Sequence, residues 1–175
     1  MVRLKLGTPI FFLQIRAGRE REPFAVQKFR TMTHERSPTG KLLSDEDRLL
    51  AFGKFLRSTS LDELPQLWNI ARGDMAFVGP RPLPVTYVAR YSDIQRRRLE
   101  FLPGLTGLAQ IQGRNSISWE ERFSFDISYV DSQSIGLDVA ILAKTLVAVV
   151  SRRGVSEVRS ATMSEFLGTM KQGEQ

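Results

Sequence analysis

Two acidic side chains stand next to each other in the stretch STSLDELPQLWN, residues 58–69. Asp62 and Glu63 are followed two positions later by Pro65, and Arg57 stands directly before the stretch. An ionised aspartate is a competent nucleophile toward phosphorus, and a bound Mg²⁺ ion would offset its repulsion of a phosphate. These residue types therefore indicate either phosphoryl chemistry or the start of a helix.

The helix start is the simpler interpretation of the same stretch. Ser60 and Glu63 fit the Ser-x-x-Glu capping box, but Pro65 would then cost a hydrogen bond inside the helix. With Asp62 as the N-cap, Pro65 falls at the third helical position, where it is tolerated. Either register puts both carboxylates at the positive end of a helix dipole, about 100° apart around the axis. Spacing alone favours the cap over chemistry.

Three further basic positions are candidates for binding an anion. In GPRP, Pro80 and Pro82 fix the backbone around Arg81, which could grip a phosphate or pair with a structural acid. In KFRTM, Lys28 and Arg30 share one face of a strand, as a pocket wall or as a solvated edge.

Two other basic stretches carry weaker signals. Arg114 follows the glycines of PGLTGLAQIQGRN, where backbone can approach a ligand, although an ordinary turn pair explains the glycines equally well. Arg96, Arg97 and Arg98 fan around a predicted helix, which favours a solvated face or lipid head groups over a pocket.

The composition narrows the chemistry further. The 175 residues include no cysteine and one histidine, His34, so disulfides, cysteine–zinc sites and multi-histidine metal sites are excluded. The net charge is +6, and arginine far outnumbers lysine. Arginine matches phosphate geometry, which points to nucleotides, nucleic acid or an anionic membrane as partners, or else to solubility alone.

Hydrophobic periodicity and turn residues predict a single domain of mixed structure. In the first half of the chain the predicted elements are a β-hairpin over 9–32, a loop over 33–48, an amphipathic helix over 45–57 that is broken or loosened near Gly53, and a helix from the acidic stretch to Arg72 stopped by Gly73. In the second half they are a short strand in MAFVGPRPLP, a helix over 84–100, a turn-rich stretch with a short strand over 101–115, a helix capped by Ser118 and Glu121 that runs to about Tyr129, and an apolar helix over 136–151.

Taken in chain order, several blocks closely resemble the bacterial sugar transferase family, the monotopic phosphoglycosyl transferases. The blocks are GTPIFFLQIRAGREREPFAVQKFRTM, GKFLRSTSLDELPQLWNIARGDMAFVGPRP, PGLTGLAQIQGRN and SWEERFSFDISYV with SIGLDVAIL. The resemblance runs from about Leu6 to Val155. The SLDELPQLWN and VGPRP blocks are highly specific in combination.

The resemblance implies a reaction and a role for each site residue. Family members move a sugar-1-phosphate from a UDP-sugar to a polyprenol phosphate such as undecaprenyl phosphate and release UMP, as the first membrane step of exopolysaccharide, O-antigen or other glycan synthesis. Asp62 would be the nucleophile of a covalent phosphosugar intermediate and a ligand of Mg²⁺ or Mn²⁺. Glu63 would assist the acceptor or the metal, and Arg57 and Arg81 would bind phosphate.

The resemblance also implies a fold and a place in the cell. We expect an α+β fold, with a small antiparallel sheet and several helices, some amphipathic and membrane-interfacial. Residues 1–160 would form the catalytic domain and 161–175 a polar, frayed tail. Family members carry an N-terminal membrane segment, and we expect this chain to begin after it, as a soluble or peripheral form of a protein from the cytoplasmic face of the bacterial inner membrane.

The expected partners follow from the same reaction. They are a UDP-sugar, a polyprenol phosphate, the membrane surface and a possible homodimer mate. No nucleic acid is expected, because the chain carries no nucleic-acid motif or stacking platform. The alternative function is a catalytically silent module that binds nucleotide sugar or serves as a scaffold in a glycan-assembly complex.

Overall fold

Short helices and four short strands make up the part of the chain that the structure describes. The computed structural model describes residues 1–113, 117–151 and 165–168. Within these ranges the α-helices are α1 (Val2–Leu6), α2 (Asp45–Arg48), α3 (Ala51–Ser58), α4 (Gln66–Ala71), α5 (Asp93–Arg96), α6 (Leu108–Gln112), α7 (Trp119–Ser132) and α8 (Ile135–Val150). The strands are β1 (Phe11–Ala17), β2 (Pro23–Phe29), β3 (Ala76–Val78) and β4 (Gly104–Thr106). The fold class is α+β, as predicted.

Strands β1 and β2 form the predicted antiparallel hairpin. Their register sets Phe12 opposite Lys28 and Arg16 opposite Phe24. Opposite residues of an antiparallel pair lie on the same face, and side chains alternate along each strand. Arg16 and Lys28 therefore share one face of the hairpin, which is the face that meets the acidic stretch.

A buried glycine lets α3 lie directly against the end of the hairpin. The helix predicted over 45–57 is broken, as expected, but the break falls at residues 49–50, between α2 and α3, and Gly53 lies inside α3. A Cβ atom on Gly53 would lie 1.9 Å from the carbonyl oxygen of Thr31. The glycine serves a close approach of two backbones and not a helix break.

The segment that follows the GPRP residues is not the single helix predicted over 84–100. It contains a 3-10 turn over Val85–Arg90, helix α5 and a second 3-10 turn over Arg97–Leu99. Ser92 takes an extended conformation and forms a capping box with Gln95, which starts a new helix at that point.

Strands β3 and β4 form a parallel pair. The sequence predicts both short strands but not their pairing. Gly79 and Gly104 allow their backbones to touch, because a Cβ atom on Gly104 would lie 2.1 Å from the amide nitrogen of Gly79. Helix α6 follows Gly107 in a stretch predicted as turns. Side chains at the start of this short sheet would push its two strands apart.

The C-terminal helices close two hydrophobic clusters. Ser118 and Glu121 form the predicted capping box of α7, and α8 agrees with the predicted apolar helix. The first cluster joins α7 to the hairpin, and its buried members are Ala17, Leu83, Tyr91, Leu99, Phe123 and Phe166. The second cluster joins α7, α8 and β3, and its buried members are Val78, Tyr129 and Ile141. Phe166 corrects the expected fraying at residues 165–168, and the rest of the tail lies outside the described residues.

We predict that Gly53→Ala destabilises the protein. A methyl group on residue 53 would overlap the Thr31 carbonyl, so the free energy of unfolding should fall by about 1–3 kcal/mol, the typical range of overpacked cores. Gly136→Ala in α8 is the matched control, because its methyl group would meet no atom within 4 Å and alanine favours a helix. Urea denaturation of both variants measures the difference, and equal stability would refute the close contact.

Candidate active site

The two acids lie on a short 3-10 turn over Leu61–Glu63, which we call the acid turn. The capping prediction is wrong in both registers. Ser60 adopts a left-handed conformation with φ 55° and makes no side-chain cap, and the α-helix begins only at Gln66. Pro65 directly precedes α4, where a missing N–H costs nothing. The acids thus lie one turn before the helix.

The side chain of Asn69 holds helix α4 against the edge of β2 that faces away from β1. Asn69 is buried; its amide donates to the carbonyl of Ala25 at 2.9 Å and accepts from the N–H of Gln27 at 3.1 Å. The helix ends as predicted before Gly73, which takes φ 82°. Asn69 is a positioning residue that sequence reasoning missed, because a lone asparagine in LWNI carries no distinctive signal.

Glu63 is bound by two cations from two other segments. Lys28 Nζ of β2 lies 2.6 Å from Glu63 Oε1, and Arg81 Nη2 lies 2.7 Å from the same oxygen. Burial alone would raise the pKa of Glu63, but the charges and hydrogen bonds of Arg81 and Lys28 lower it to about 2. Glu63 is therefore ionised over the whole physiological range.

Asp62 has the opposite environment. No hydrogen bond or ion pair to its carboxylate is found among residues 1–113, 117–151 and 165–168, and it is half-buried. Burial and the charge of Glu63 raise the pKa of Asp62, against the opposing charges of Lys28, Arg57 and Arg81. A desolvated carboxylate without a partner, close to three cations, is typical of a group that reacts or binds a ligand.

Two of the predicted phosphate-binding arginines border the acid turn. Arg57 lies in the last turn of α3, and its Nε donates to Thr31 Oγ1 at 3.0 Å. Arg81 lies in the GPRP loop (Gly79–Pro82), where it pairs with Glu63. Both act electrostatically on Asp62. The alternative interpretation of GPRP, a rigid loop whose arginine pairs with an acid, is thus correct for Arg81 and is compatible with a second role in binding.

The remaining basic predictions have different outcomes. Lys28 lies in the site, but Arg30 does not join it: its buried guanidinium donates to the carbonyls of Leu6 and Thr8. Arg30 therefore ties α1 to the hairpin, and a role in phosphate binding stays a prediction that this contact does not support. Arg114 lies outside the described residues.

Arg16 is a basic residue of this region that the sequence reasoning missed. It shares the Lys28 face of the hairpin, and its Nη2 donates to Gln14 Oε1 at 2.5 Å. Burial and the charge of Arg81 lower the pKa of Arg16 to about 10. Strand alternation, applied to both strands of the hairpin, would have predicted its place.

The prediction for the basic cluster is wrong for one of its three arginines. Arg96 and Arg97 lie at the surface and pair with Asp93 and Asp131. Arg98 instead turns inward and is 2% exposed. Three consecutive residues of a helical turn point in different directions, so one of the three can face the core while the other two face solvent.

Apolar side chains surround the acid turn on its outer side. Leu64, Leu67 and Trp68 are 48%, 43% and 62% exposed, and Phe55 of α3 is also exposed. In the described part of the chain, no helix combines the length and the hydrophobicity that crossing a bilayer requires. An amphipathic surface next to the acids agrees with the expected amphipathic helices, while contact with a membrane stays a prediction.

Comparison with known proteins agrees with this geometry. The family model for bacterial sugar transferases matches residues 1–152. The chain belongs to the bacterial sugar transferase family. It is 48% identical to the sugar transferase EpsL of Bacillus subtilis, over 97% of this chain and 84% of that protein. As a bacterial sugar transferase, it is an enzyme, and its acid turn and basic neighbours are its candidate active site.

Other relatives of this bacterial sugar transferase are longer. It is 38% identical to the undecaprenyl-phosphate galactose phosphotransferase of Salmonella typhimurium, over 85% of this chain and 35% of that protein. It is also 38% identical to the UDP-glucose:undecaprenyl-phosphate glucose-1-phosphate transferase of Klebsiella pneumoniae, over 79% of this chain and 32% of that protein. The chain thus spans about a third of the length of these two relatives.

We predict that the two acids affect stability in opposite ways. At pH 7, Glu63→Gln removes the charge that holds Lys28 and Arg81, and the free energy of unfolding should fall by roughly 2–3 kcal/mol. Asp62→Asn removes a desolvated charge without a partner and should leave stability unchanged or raise it by up to about 1 kcal/mol. Urea denaturation monitored by circular dichroism measures both.

The effect of Glu63 should also depend on pH. Its pKa is lowered from 4.5 to about 2, so its stabilisation is fully present above about pH 4.5 and is lost as the pH falls toward 2. The gap between wild type and Glu63→Gln should therefore shrink across that range. A difference in stability that stays constant down to pH 2.5 would contradict the ion pairs of Glu63 with Lys28 and Arg81.

Proposed function

We propose that this enzyme transfers a sugar-1-phosphate from a UDP-sugar to a polyprenol phosphate, such as undecaprenyl phosphate, through a covalent intermediate on Asp62. The observation that carries this proposal is the contrast between two adjacent acids. Glu63 is neutralised by Lys28 and Arg81, whereas Asp62 has no bonding partner in the described segments and lies among cations. The Salmonella and Klebsiella relatives are named for sugar-phosphate transfer to undecaprenyl phosphate, which supports the same reaction.

The first step makes and breaks one bond to phosphorus. A carboxylate oxygen of Asp62 attacks the phosphorus that carries the sugar, and the bond from that phosphorus to the oxygen of UMP breaks. UMP leaves with the electron pair, and the sugar-phosphate is held on Asp62 as an acyl phosphate. Because Asp62 carries no hydrogen-bond partner among the described residues, no such bond has to break before the attack.

The second step returns the enzyme to its starting state. A phosphate oxygen of the polyprenol phosphate attacks the same phosphorus, and the bond to Asp62 breaks with its electrons returning to the carboxylate. The products are UMP and a polyprenyl diphosphate sugar. The first product leaves before the second substrate reacts, so ping-pong kinetics follow.

The basic residues supply what phosphoryl transfer chiefly requires, which is positioning and neutralisation of charge. Arg57 and Arg81 flank the acid turn and would bind the phosphate oxygens of the donor, with Lys28 beside them. Thr31 holds the Arg57 guanidinium by its Nε, which leaves the two terminal nitrogens directed away from that bond. A chain with no cysteine and one histidine can perform this chemistry.

Glu63 is better suited to positioning than to proton transfer. A general base works best with a pKa near the operating pH, and the pKa of Glu63 is lowered to about 2 by Arg81 and Lys28 despite its burial. The resemblance implies direct help to the acceptor or to a metal, but Lys28 and Arg81 both bind Oε1 and hold this carboxylate ionised and in place. We propose instead that Glu63 fixes Lys28 and Arg81 for the phosphates.

Mg²⁺, or Mn²⁺ in its place, fits Asp62 as a single carboxylate ligand. In residues 1–113, 117–151 and 165–168, no three acidic or histidine side chains cluster to hold a metal by themselves. Mg²⁺ is commonly held by one or two carboxylates together with substrate phosphates and waters, and this donor set has one such carboxylate free. When bound, the ion would neutralise charge on the phosphate oxygens.

The exposed apolar residues beside the acid turn suit an acceptor that lives in a membrane. Leu64, Leu67 and Trp68 follow the acids directly, and tryptophan favours the level of lipid head groups. We propose that this surface rests on the cytoplasmic face of the bacterial inner membrane, where the polyprenol phosphate reaches Asp62. The homodimer and the lack of nucleic-acid binding stay predictions.

We predict that Asp62→Asn abolishes turnover. The protein in lipid or detergent, with UDP-sugars, Mg²⁺ and undecaprenyl phosphate, should release UMP and accumulate a covalent phosphosugar adduct, seen by mass spectrometry when the acceptor is withheld. Asp62→Asn should lower UMP release by at least about a thousandfold and remove the adduct, because an amide is a far weaker nucleophile.

Two control variants sharpen this experiment. Asp93→Asn removes an exposed carboxylate that pairs with Arg96 and should leave both signals unchanged. Glu63→Gln should slow both signals but retain the adduct, since Asp62 remains. Adduct formation by Asp62→Asn would overturn the assignment of the nucleophile. A wild-type protein that binds UDP-sugar without any UMP release would instead favour the silent binding module.

A further inference from the structure

A buried arginine lies beneath the GPRP loop and takes no part in the chemistry described above. The Arg98 guanidinium donates from Nε and Nη2 to Oδ2 of Asp126, at 2.9 and 2.8 Å, and from Nη1 to the hydroxyl of Tyr91, at 3.2 Å. Nη2 also donates to the main-chain carbonyl of Arg81, at 2.7 Å. One buried side chain thus joins α7 to the backbone of a site residue.

The hydrogen bond from Arg98 reaches the backbone of the GPRP loop at Arg81, between the two prolines. The prolines on either side restrict the local torsions, and the Arg98 bond holds the intervening carbonyl. At its other end, the Arg81 guanidinium is held by Glu63 at 2.7 Å. Arg81 is therefore anchored at both ends, by Glu63 at the side chain and by Arg98 at the backbone.

Asp126 and the surrounding rings fix Arg98 in turn. Asp126 is 2% exposed and lies in the middle of α7. The Arg98 guanidinium also lies 5.7 Å from the ring centroids of both Tyr91 and Phe123. Because Arg98 is buried and its charge faces a carboxylate, it is not placed to bind substrate itself, and any effect on a phosphate must pass through Arg81.

We propose that Arg98 and Asp126 form a positioning pair that holds the Arg81 backbone so that its guanidinium meets the transferred phosphate. This inference rests on the proposed function, in which Arg81 binds phosphate. A guanidinium is a planar fork that can serve Asp126, Tyr91 and the Arg81 carbonyl together. Lysine keeps the charge but places a single ammonium group, which cannot reproduce that fork.

The test is a double-mutant cycle between positions 98 and 81. Arg98→Lys should lower kcat/KM for UMP release by about 10- to 100-fold, the size of effect expected from misplacing a binding group by about 1 Å. In an Arg81→Ala background, the same substitution should cost less than about twofold, because the residue through which it acts is gone. Equal losses in the two backgrounds would overturn the proposal.

The neighbouring arginine provides a matched control. Arg97 lies at the surface and pairs with Asp131 and Glu100, so Arg97→Lys is the same chemical change without a contact to the loop. It should change kcat/KM by less than about twofold in either background. The thermal midpoint of Arg98→Lys, in contrast, should fall by the same amount whether or not Arg81 is present, which separates folding from positioning.

A second variant keeps the test decisive. If Arg98→Lys does not fold, Tyr91→Phe removes one bond to the Arg98 guanidinium and leaves the ring. It should lower kcat/KM by about 2- to 5-fold, and that loss should disappear with Arg81→Ala; an equal loss in both backgrounds overturns the proposal.

Calorimetric binding of inorganic pyrophosphate separates this inference from the proposed function. Should the wild type release no UMP, the proposed reaction fails, but the positioning pair still predicts that Arg98→Lys weakens pyrophosphate binding about tenfold and that Arg97→Lys does not. Unchanged affinity in Arg98→Lys, or no pyrophosphate binding by the wild type, overturns the pair as a device for positioning a phosphate ligand.

Discussion

Two cations that meet on one carboxylate oxygen determine how the site is assembled. Lys28 comes from the hairpin, Glu63 from the acid turn and Arg81 from the GPRP loop, and the two ion pairs measure 2.6 and 2.7 Å. Taking each charge out of water costs several kcal/mol unless a partner compensates it. The contact therefore favours the packing of three segments that are distant in the sequence. The active site and the fold of the N-terminal half consequently depend on the same interaction.

The difference between the two acids follows from local backbone geometry. Successive residues of a 3-10 turn point about 120° apart, so the two adjacent acids do not both bond directly to the same cations. Glu63 faces Lys28 and Arg81, and its pKa falls to about 2 despite burial. Asp62 keeps the desolvation and the repulsion from Glu63 without a direct partner in the described segments, and its pKa rises. When the surroundings drive the pKa values of two carboxylates apart, the two groups can take separate roles.

The sequence predicts local features well and fails where distant segments meet. The hairpin, the capping box at Ser118 and the apolar helix α8 follow from alternation, capping and hydrophobicity, and all three are present. Ser60 shows the limit: its spacing to Glu63 fits a capping box, but ion pairing draws the acid elsewhere and Ser60 becomes left-handed. The inward turn of Arg98 depends on Asp126, 28 residues later, and no local pattern records that contact. Residue types single out the acids and Arg81, and resemblance implies their roles, but only the fold shows that Glu63 is the acid with which Arg81 pairs.

A site whose basic side chains are already ordered loses less conformational entropy when it binds an anion, and this explains the arrangement of Lys28, Arg57 and Arg81. A free lysine or arginine loses much side-chain freedom when it grips a phosphate, and that loss subtracts from affinity. Here Lys28 and Arg81 are already ordered by Glu63, and Arg57 is ordered by Thr31. Prearranged charges also need little reorganisation when charge moves during phosphoryl transfer. Because Glu63 cancels only one of these positive charges and Asp62 another, the five groups together remain cationic, and an incoming diphosphate meets an ordered site with net attraction.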